Sequence, residues 1–199
     1  MAPKHQLILA SQSPRRKQLL EWAEISFEVV TKNTDESFPE NLPTEDVPVH
    51  IARQKALAVQ EHLQNINEQS NKPILAADTV VVLGEEIIGK PKDKKDALAI
   101  LSALSGKKHK VITGVVLLKG NEEFYFSDTT EVTFYPFTQQ QIEYYIDKYK
   151  PMDKAGAYAI QEWIGVTGIK FIKGDFYNVM GLPVSRVVRL LNELTPVKI

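Results

Sequence analysis

The stretch ILAADTVVVL, Ile74–Leu83, decides the fold class of this chain. A run of this length that is almost wholly apolar and rich in valine is typical of a strand buried inside a sheet. The carboxylate of Asp78 interrupts the run, and burying a carboxylate costs free energy unless it is paired, hydrogen-bonded or close to a metal ion. Two interpretations stay open: Asp78 is a general base, or it is a structural aspartate satisfied by backbone amides or an arginine.

Strand and helix patterns alternate on both sides of Ile74–Leu83. Further strands are predicted at residues 7–10, 27–31, 87–88, 111–118 and 129–137, and a hairpin around Gly174 is predicted from residues 169–173 and 176–179. Helices are predicted at about residues 14–24, 48–63, 94–104, 139–149 and 183–194, with N-caps at Ser13 and Thr138 and a cap from Asp93 and Asp96. The intermixed order predicts an α/β or α+β protein with a mixed sheet. No Pro/Gly/Ser linker interrupts it, so residues 1–199 are predicted to form a single domain.

The composition excludes several kinds of site and partner. The chain has 199 residues and no cysteine, which excludes disulfides, thiolate zinc sites and a cysteine nucleophile. A net charge of -1 argues against a protein that wraps nucleic acid, and the four histidines, at positions 5, 50, 62 and 109, lack the spacing of metal ligands. The apolar run at residues 7–10 is too short for a signal peptide, and no run reaches the length of a membrane span. We therefore expect a cytoplasmic protein with no nucleic-acid or membrane partner.

The segment SQSPRR, Ser11–Arg16, places two arginines where a helix is predicted to begin. A helix N-terminus carries partial positive charge and free N–H groups, so Arg15 and Arg16 oppose the helix dipole there. The arrangement suits a bound anion, because amides and guanidinium groups then converge on phosphate oxygens. The alternative is a solvated surface turn that happens to carry two arginines.

Two further segments carry charges of interest. In Gly89–Pro91, the proline biases Lys90 to an extended conformation, which suits phosphate neutralisation; taken alone, the segment is more typical of a surface lysine before a turn. Asp35 and Glu36 lie in an acidic, proline-marked loop, where their oxygens can hold a hard cation or simply face solvent.

Taken together and in this order, these features resemble the Maf family of nucleotide pyrophosphatases. The likeness covers nearly the whole chain and rests on ordered short motifs. The matching segments are LASQSPRR (Leu9–Arg16), AADTVV (Ala76–Val81), GKP (Gly89–Pro91), LSG (Leu104–Gly106), TGV (Thr113–Val115), DKAGAYAIQ (Asp153–Gln161) and GLP (Gly181–Pro183).

The resemblance implies a fold, a reaction and a set of site residues. The fold is the two-lobed α/β architecture shared with inosine triphosphate pyrophosphatases: a twisted mixed sheet with flanking helices and a cleft between the lobes. The reaction is hydrolysis of a nucleoside triphosphate between the α and β phosphates, aided by a divalent cation, Mg²⁺ or Mn²⁺. Asp78 matches the family's general base. The matching phosphate-contacting residues are Ser11, Arg15, Arg16 and Lys90, and the further polar residues of the cleft are Glu36 and Lys55.

The resemblance also indicates a branch of the family. Arg15, Thr79 and Gln161 match the branch that acts on dTTP and UTP, whereas Ala159, close to Gln161 in the sequence, departs from the glycine that this branch has there. Two alternatives stay open: a nucleotide-binding regulatory protein without turnover, and a pyrophosphatase of the same fold that acts on purine or modified nucleotides. The sequence also leaves open a homodimer, the natural substrate and the metal ligands.

Overall fold

A computed structural model describes residues 6–66 and 72–194, so the predictions that concern His5 lie outside the described residues. The strands are β1 (Gln6–Leu9), β2 (Ser26–Val29), β3 (Ile74–Leu83), β4 (Glu86–Ile88), β5 (Lys108–Lys119), β6 (Glu122–Phe134) and β7 (Ile169–Lys173). The helices are α1 (Pro14–Trp22), α2 (Val47–Asn65), α3 (Lys94–Leu104), α4 (Gln139–Tyr149), α5 (Trp163–Gly168), α6 (Phe176–Met180) and α7 (Val184–Leu194), with a 3-10 turn at Ala155–Ala157.

The strands form one mixed sheet. Its order is β2-β1-β3-β5-β6-β7, and β4 pairs with β3 off this path. Strand β1 is parallel to both of its neighbours, β2 and β3, whereas β4 is antiparallel to β3 and β7 is antiparallel to β6. The prediction of an α/β protein with a mixed sheet and flanking helices is confirmed. Within the described residues, no helix is both long enough and apolar enough to cross a membrane.

The chain folds into two compact units. The first takes the described residues of 1–78, 113–127 and 181–199, and the second takes residues 79–112 and 128–180. Three strands, β3, β5 and β6, contribute residues to both units, so each unit is built from segments distant in the sequence. Asp78 is the last residue of β3 in the first unit, and Thr79 is the first in the second.

The core of the first unit positions α2 against three strands. Its buried cluster takes Ala52, Ala56, Val59 and Leu63 from α2, Ile8 and Ala10 from the β1 segment, Ile74 and Ala76 from β3, and Val116 and Leu118 from β5. Side chains at alternate positions of a strand share a face. The residue that follows Ile74 and Ala76 on this face is Asp78, and β3 therefore directs its carboxylate towards the side on which α2 packs.

A glycine allows α2 to begin close to the sheet. A Cβ atom added to Gly114 on β5 would lie 2.2 Å from the backbone nitrogen of Val49, far inside van der Waals contact. Only a residue without a side chain lets the first turn of α2 approach β5 this closely. The TGV motif, Thr113–Val115, is therefore a packing feature that fixes the helix carrying Lys55.

The predicted hairpin at residues 169–179 is wrong in its second half. Strand β7 forms as predicted but pairs with β6, and Phe176–Met180 is the short helix α6. Asp175 provides the physical reason: its carboxylate accepts a hydrogen bond from the backbone N–H of Tyr177 at 2.7 Å, as a helix-capping residue does. Gly174, at a φ of 129°, turns the chain between the strand and this cap.

The predicted caps divide into two kinds. Asp93 accepts from the N–H of Asp96 at 2.8 Å, and Thr138 forms a full capping box with Gln141, which confirms both predictions. Pro14 opens α1 as predicted, but the Ser13 side chain makes no capping hydrogen bond within the described part of the chain.

Substitution of Ser13 is therefore expected to leave stability nearly unchanged. We expect Ser13→Ala to lower the free energy of unfolding by less than about 0.5 kcal/mol, because no cap is lost. The matched variant Thr138→Ala removes a formed cap and is expected to cost about 1 kcal/mol. Urea denaturation of both variants measures the difference, and an equal loss would contradict the assignment.

Candidate active site

Lys55 holds two carboxylates in the first unit. Its Nζ atom lies 2.7 Å from Oδ1 of Asp78 and 2.8 Å from Oε1 of Glu36. The side chains of Lys55 and Asp78 are mostly buried, at 17% and 14% exposed, whereas Glu36 is 48% exposed. The helix α2 supplies the cation and the strand β3 supplies the buried carboxylate. Lys55 thus satisfies the charge that interrupts Ile74–Leu83, a partner that neither interpretation of Asp78 from the residues alone had named.

Arg16 is a buried cation in the same unit. Its Nε donates to the carbonyl oxygen of Gly181 at 2.8 Å, and one terminal nitrogen donates to the Ser11 hydroxyl at 3.1 Å. Burial lowers the pKa of Arg16, and the negative charge of Asp78 acts in the opposite direction to raise it. The charge of Glu36 also raises this pKa. The guanidinium group is therefore electrostatically coupled to both carboxylates that Lys55 holds.

The SQSPRR segment folds around the Ser11 hydroxyl. This oxygen accepts from the backbone N–H of Ser13 at 3.3 Å as well as from Arg16, so it lies inside the turn that leads into α1. Arg15 is half-buried in the first turn of the helix, and its charge lowers the pKa of Arg16. Two like charges at a helix N-terminus are costly unless an anion offsets them. The structure thus retains the feature that indicated a phosphate site.

In the second unit, the segment of Lys90 is fixed by the 3-10 turn. The carbonyl oxygen of Gly89 accepts from the N–H of Gly156 at 3.0 Å. Gly156, at a φ of 69°, packs on β3 so closely that an added Cβ would lie 2.9 Å from a methyl group of Val81. Pro91 is buried and Lys90 is exposed. The GKP and DKAGAYAIQ motifs therefore meet in the structure, and Gly156 allows the second of them to pack closely on β3.

Gln161 occupies a tight turn in the second unit. The N–H of Glu162 donates to the carbonyl oxygen of Ala159 at 3.1 Å, which closes a turn with Ile160 and Gln161 at its centre. The side-chain oxygen Oε1 of Gln161 is buried and has no hydrogen-bond partner among the described residues. Buried amide oxygens are rarely left in this state. An orphaned acceptor of this kind is suited to a donor on a ligand.

The candidate residues thus fall into two sets. The first unit brings together Ser11, Arg15, Arg16, Glu36, Lys55 and Asp78, and the second unit holds Thr79, Lys90 and Gln161. Sequence reasoning missed the carbonyl of Gly181 as the anchor of Arg16, because a backbone group has no residue-type signal. It also missed Tyr145 and Glu162, described below, although the buried position of Tyr145 on α4 follows from helical spacing.

The carboxylates fit a cation only in part. Within the described residues, no group of three or more His, Asp or Glu side chains lies close enough together to hold a metal ion. Mg²⁺, however, is commonly held by one or two carboxylates together with substrate phosphates. Asp78 and Glu36 supply hard oxygen ligands of this type, and both already lie around one cation, the ammonium of Lys55.

Comparison with known proteins places the chain among close relatives. A protein named dTTP/UTP pyrophosphatase from Cytophaga hutchinsonii is 47% identical over 94% of this chain and 84% of its own length. A protein of the same name from Phocaeicola vulgatus is 46% identical over 96% of this chain and 97% of its own length. Among solved structures, the Staphylococcus aureus Ham1 protein is 15% identical, with a TM-score of 0.42, over 65% of this chain and 71% of that one.

A family model covers all of the described residues. The model described as Maf-like protein matches residues 6–194, a span that includes both units and every candidate site residue. The motifs that indicated this family from the sequence now have places in the structure, from the Ser11 turn to the carbonyl of Gly181. By the extent of this match and the identity of its relatives, the chain belongs to the Maf family.

Proposed function

We propose that this chain is a nucleoside triphosphate pyrophosphatase that hydrolyses dTTP and UTP to the monophosphate and pyrophosphate, which clears these nucleotides from the cellular pool. The observation that carries the proposal is the mostly buried carboxylate of Asp78, held 2.7 Å from Lys55 in the unit that also contains buried Arg16. The relatives at 47% and 46% identity that are named dTTP/UTP pyrophosphatase support it. A regulatory protein that only binds nucleotides would not need a carboxylate in this strand.

In the proposed reaction, Asp78 accepts a proton from the attacking water. The water oxygen bonds to the α-phosphorus, the bond from that phosphorus to the bridging oxygen breaks, and pyrophosphate leaves with the electron pair. Lys55 orients the carboxylate through its hydrogen bond to Oδ1. Negative charge grows on the phosphate oxygens in the transition state, and fixed cations stabilise it there. We assign this role to Arg15, Arg16 and Lys90, with the Ser11 hydroxyl as a further phosphate contact.

A divalent cation is part of the proposal. Glu36 would hold Mg²⁺ or Mn²⁺ together with phosphate oxygens of the substrate, and the bound ion would supply charge neutralisation at the phosphates. Its carboxylate is an oxygen ligand of the kind these ions prefer, and Asp78 stays available to accept the proton. Whichever of the two ions is bound, residues of this chain accept the proton and position the substrate.

We assign recognition of the substrate's nucleobase to Gln161. Uracil and thymine present an N–H between two carbonyl groups, and a glutamine amide offers one acceptor and two donors. The unpartnered Oε1 of Gln161 can accept from that N–H, and its NH₂ group can donate to a neighbouring carbonyl. Cytosine lacks the N–H and replaces one carbonyl with an amino group, and purines are larger.

Thr79 points to the opposite face of β3 from Asp78, so we assign it a role in shaping the pocket.

Pyrophosphate release from a panel of nucleotides tests this function. We expect dTTP and UTP to be hydrolysed much faster than ATP, GTP or CTP in the presence of Mg²⁺. A preference for a purine or a modified nucleotide would contradict the assigned substrate but not the assigned reaction. Binding of all nucleotides without pyrophosphate release would contradict the enzymatic activity and favour a regulatory protein.

Gln161→Ala is expected to weaken selection more than turnover. A site built to hydrogen-bond rejects analogues that leave its groups unpaired, so the kcat/KM ratio of UTP to CTP should fall about tenfold or more. Hydrolysis of triphosphates in general should persist. The exposed residue Gln139, on α4, provides the control Gln139→Ala. An unchanged ratio in Gln161→Ala would remove this residue from base selection.

The remaining parts of the proposal concern location and partners. A cytoplasmic address fits an enzyme that acts on free nucleotides, and no nucleic acid or membrane is required for the reaction as written. Whether two copies of the chain associate stays a prediction, which sedimentation of the purified protein can test.

A further inference from the structure

The hydroxyl group of Tyr145 contacts both ends of the Gln161 turn. The backbone N–H of Ala159 donates to this oxygen at 3.2 Å, and the hydroxyl in turn donates to Oε2 of Glu162. A phenol has one donor hydrogen and can also accept, so Tyr145 uses both capacities on a single turn. The side chain lies on α4, is fully buried and stacks on the ring of Tyr149, with 5.0 Å between the centroids.

A buried lysine also binds the carboxylate of Glu162. Lys154 is buried, and its Nζ lies 3.6 Å from Oε1 of Glu162 and 2.9 Å from Oδ1 of Asp153. The carboxylate of Glu162 is therefore bound by Tyr145 at one oxygen and neutralised by Lys154 at the other. Charged groups that are satisfied on several sides hold their position firmly.

The helix that follows the turn restrains it from the other side. A Cβ atom added to Gly165 on α5 would lie 1.9 Å from the carbonyl oxygen of Ile160, so the turn and the helix are in direct backbone contact. Gln161 lies between Ile160 and Glu162, and its own side-chain oxygen has no partner among the described residues. The backbone that carries Gln161 is thus fixed at Ala159, Ile160 and Glu162, while no contact of its side-chain oxygen helps to fix it.

We propose that Tyr145, acting with Glu162, is a positioning residue that sets base selectivity by fixing the turn of Gln161. The inference rests on the function proposed above, in which Gln161 reads the base. Because Oε1 of Gln161 has no hydrogen-bond partner among the described residues, its direction depends on the backbone, and the phenol restrains the turn through the backbone N–H of Ala159 and the side chain of Glu162. A site whose supporting contacts are lost places its functional groups less accurately and discriminates less well.

The experiment compares Tyr145→Phe with Tyr144→Phe. Each variant removes one hydroxyl group from α4, but the Tyr144 hydroxyl accepts only an exposed contact, from Lys148 at 2.8 Å. We expect the kcat/KM ratio of UTP to CTP to fall about tenfold in Tyr145→Phe, through loss of UTP specificity, with kcat for UTP nearly kept. Tyr144→Phe should retain the wild-type ratio. A Tyr145→Phe enzyme with a lower melting temperature and an unchanged ratio would show a purely structural residue and overturn the proposal.

Two further variants keep the test decisive if Tyr145→Phe folds poorly. Glu162→Ala leaves the phenol in place and removes its acceptor, and it should reproduce the loss of selectivity. In a double-mutant cycle, Tyr145→Phe should change the ratio little once Gln161 is replaced by alanine, because both act through one contact with the base. Additive effects, or wild-type selectivity in Glu162→Ala, would contradict the proposal.

Failure of the inference can be told apart from failure of the proposed function. If the wild-type protein releases pyrophosphate without favouring UTP over CTP, the base assignment itself fails and no variant is needed. If the wild type has the preference and Tyr145→Phe keeps it in a folded enzyme, the inference alone fails.

Discussion

Asp78→Asn is expected to lower the rate of pyrophosphate release from dTTP by about two to four orders of magnitude, the usual contribution of a general base. Asparagine keeps the size of the side chain and an oxygen that can still accept from Lys55, but it cannot take up the proton of the attacking water. Lys55 also keeps its ion pair with Glu36 at 2.8 Å, so the buried ammonium does not lose every carboxylate. Steady-state kinetics with dTTP provides the measurement.

Binding separates this expectation from a loss of structure. Asp78→Asn should still bind a non-hydrolysable dTTP analogue, since the residues assigned to the phosphates are unchanged. Asp147→Asn is the matched control, because Asp147 lies on the surface of α4 in an ion pair with Lys94. Near-normal turnover in Asp78→Asn would show that another group accepts the proton.

Lys90→Ala is expected to lower kcat by about 10² to 10³-fold, the loss typical of removing one group that stabilises charge in a transition state. Lys90 is exposed, and its segment is held through the carbonyl of Gly89 and the buried ring of Pro91. The substitution should therefore change the free energy of unfolding by less than about 0.5 kcal/mol. Rate and stability are measured on the same preparation.

A nearby lysine supplies the control for this variant. Lys92 is exposed, two positions further along the chain, and Lys92→Ala should keep both rate and stability. Equal activity of the two variants would mean that Lys90 is an ordinary surface lysine, the alternative that the sequence left open. A large loss of stability in Lys90→Ala would indicate a structural role instead.

The sequence predicts local structure well where the signal is local. Strand β3 has the predicted bounds, Ile74–Leu83, because ten residues that are almost all apolar and rich in valine leave little choice of conformation. The caps at Asp93 and Thr138 form because each side chain bonds an N–H only three residues away. The same reasoning fails at Phe176–Met180, where apolar residues typical of a strand follow a capping aspartate and form a helix.

From the sequence, the types of residue in the site could be predicted, but not the contacts between them. Asp78 stands out in the sequence because one charge interrupts an apolar run, and that signal needs no structure. Its partner Lys55 comes from α2, and the bond between them depends on how Gly114 lets that helix approach the sheet. The anchoring of Gln161 by Tyr145 joins residues from different elements, so no spacing along the chain reveals it.

The bond from Arg16 to the carbonyl of Gly181 has a consequence for protein synthesis. These residues are 165 positions apart, so the turn at Ser11 emerges from the ribosome long before its anchor is translated. Contacts of such separation form late, after the chain between them has been ordered. A product that ends before Gly181 carries Asp78, Lys55 and Lys90 but lacks the group that fixes Arg16. We therefore expect chains that end before Gly181 to hydrolyse dTTP more slowly than the full chain, because Arg16 is not anchored in them.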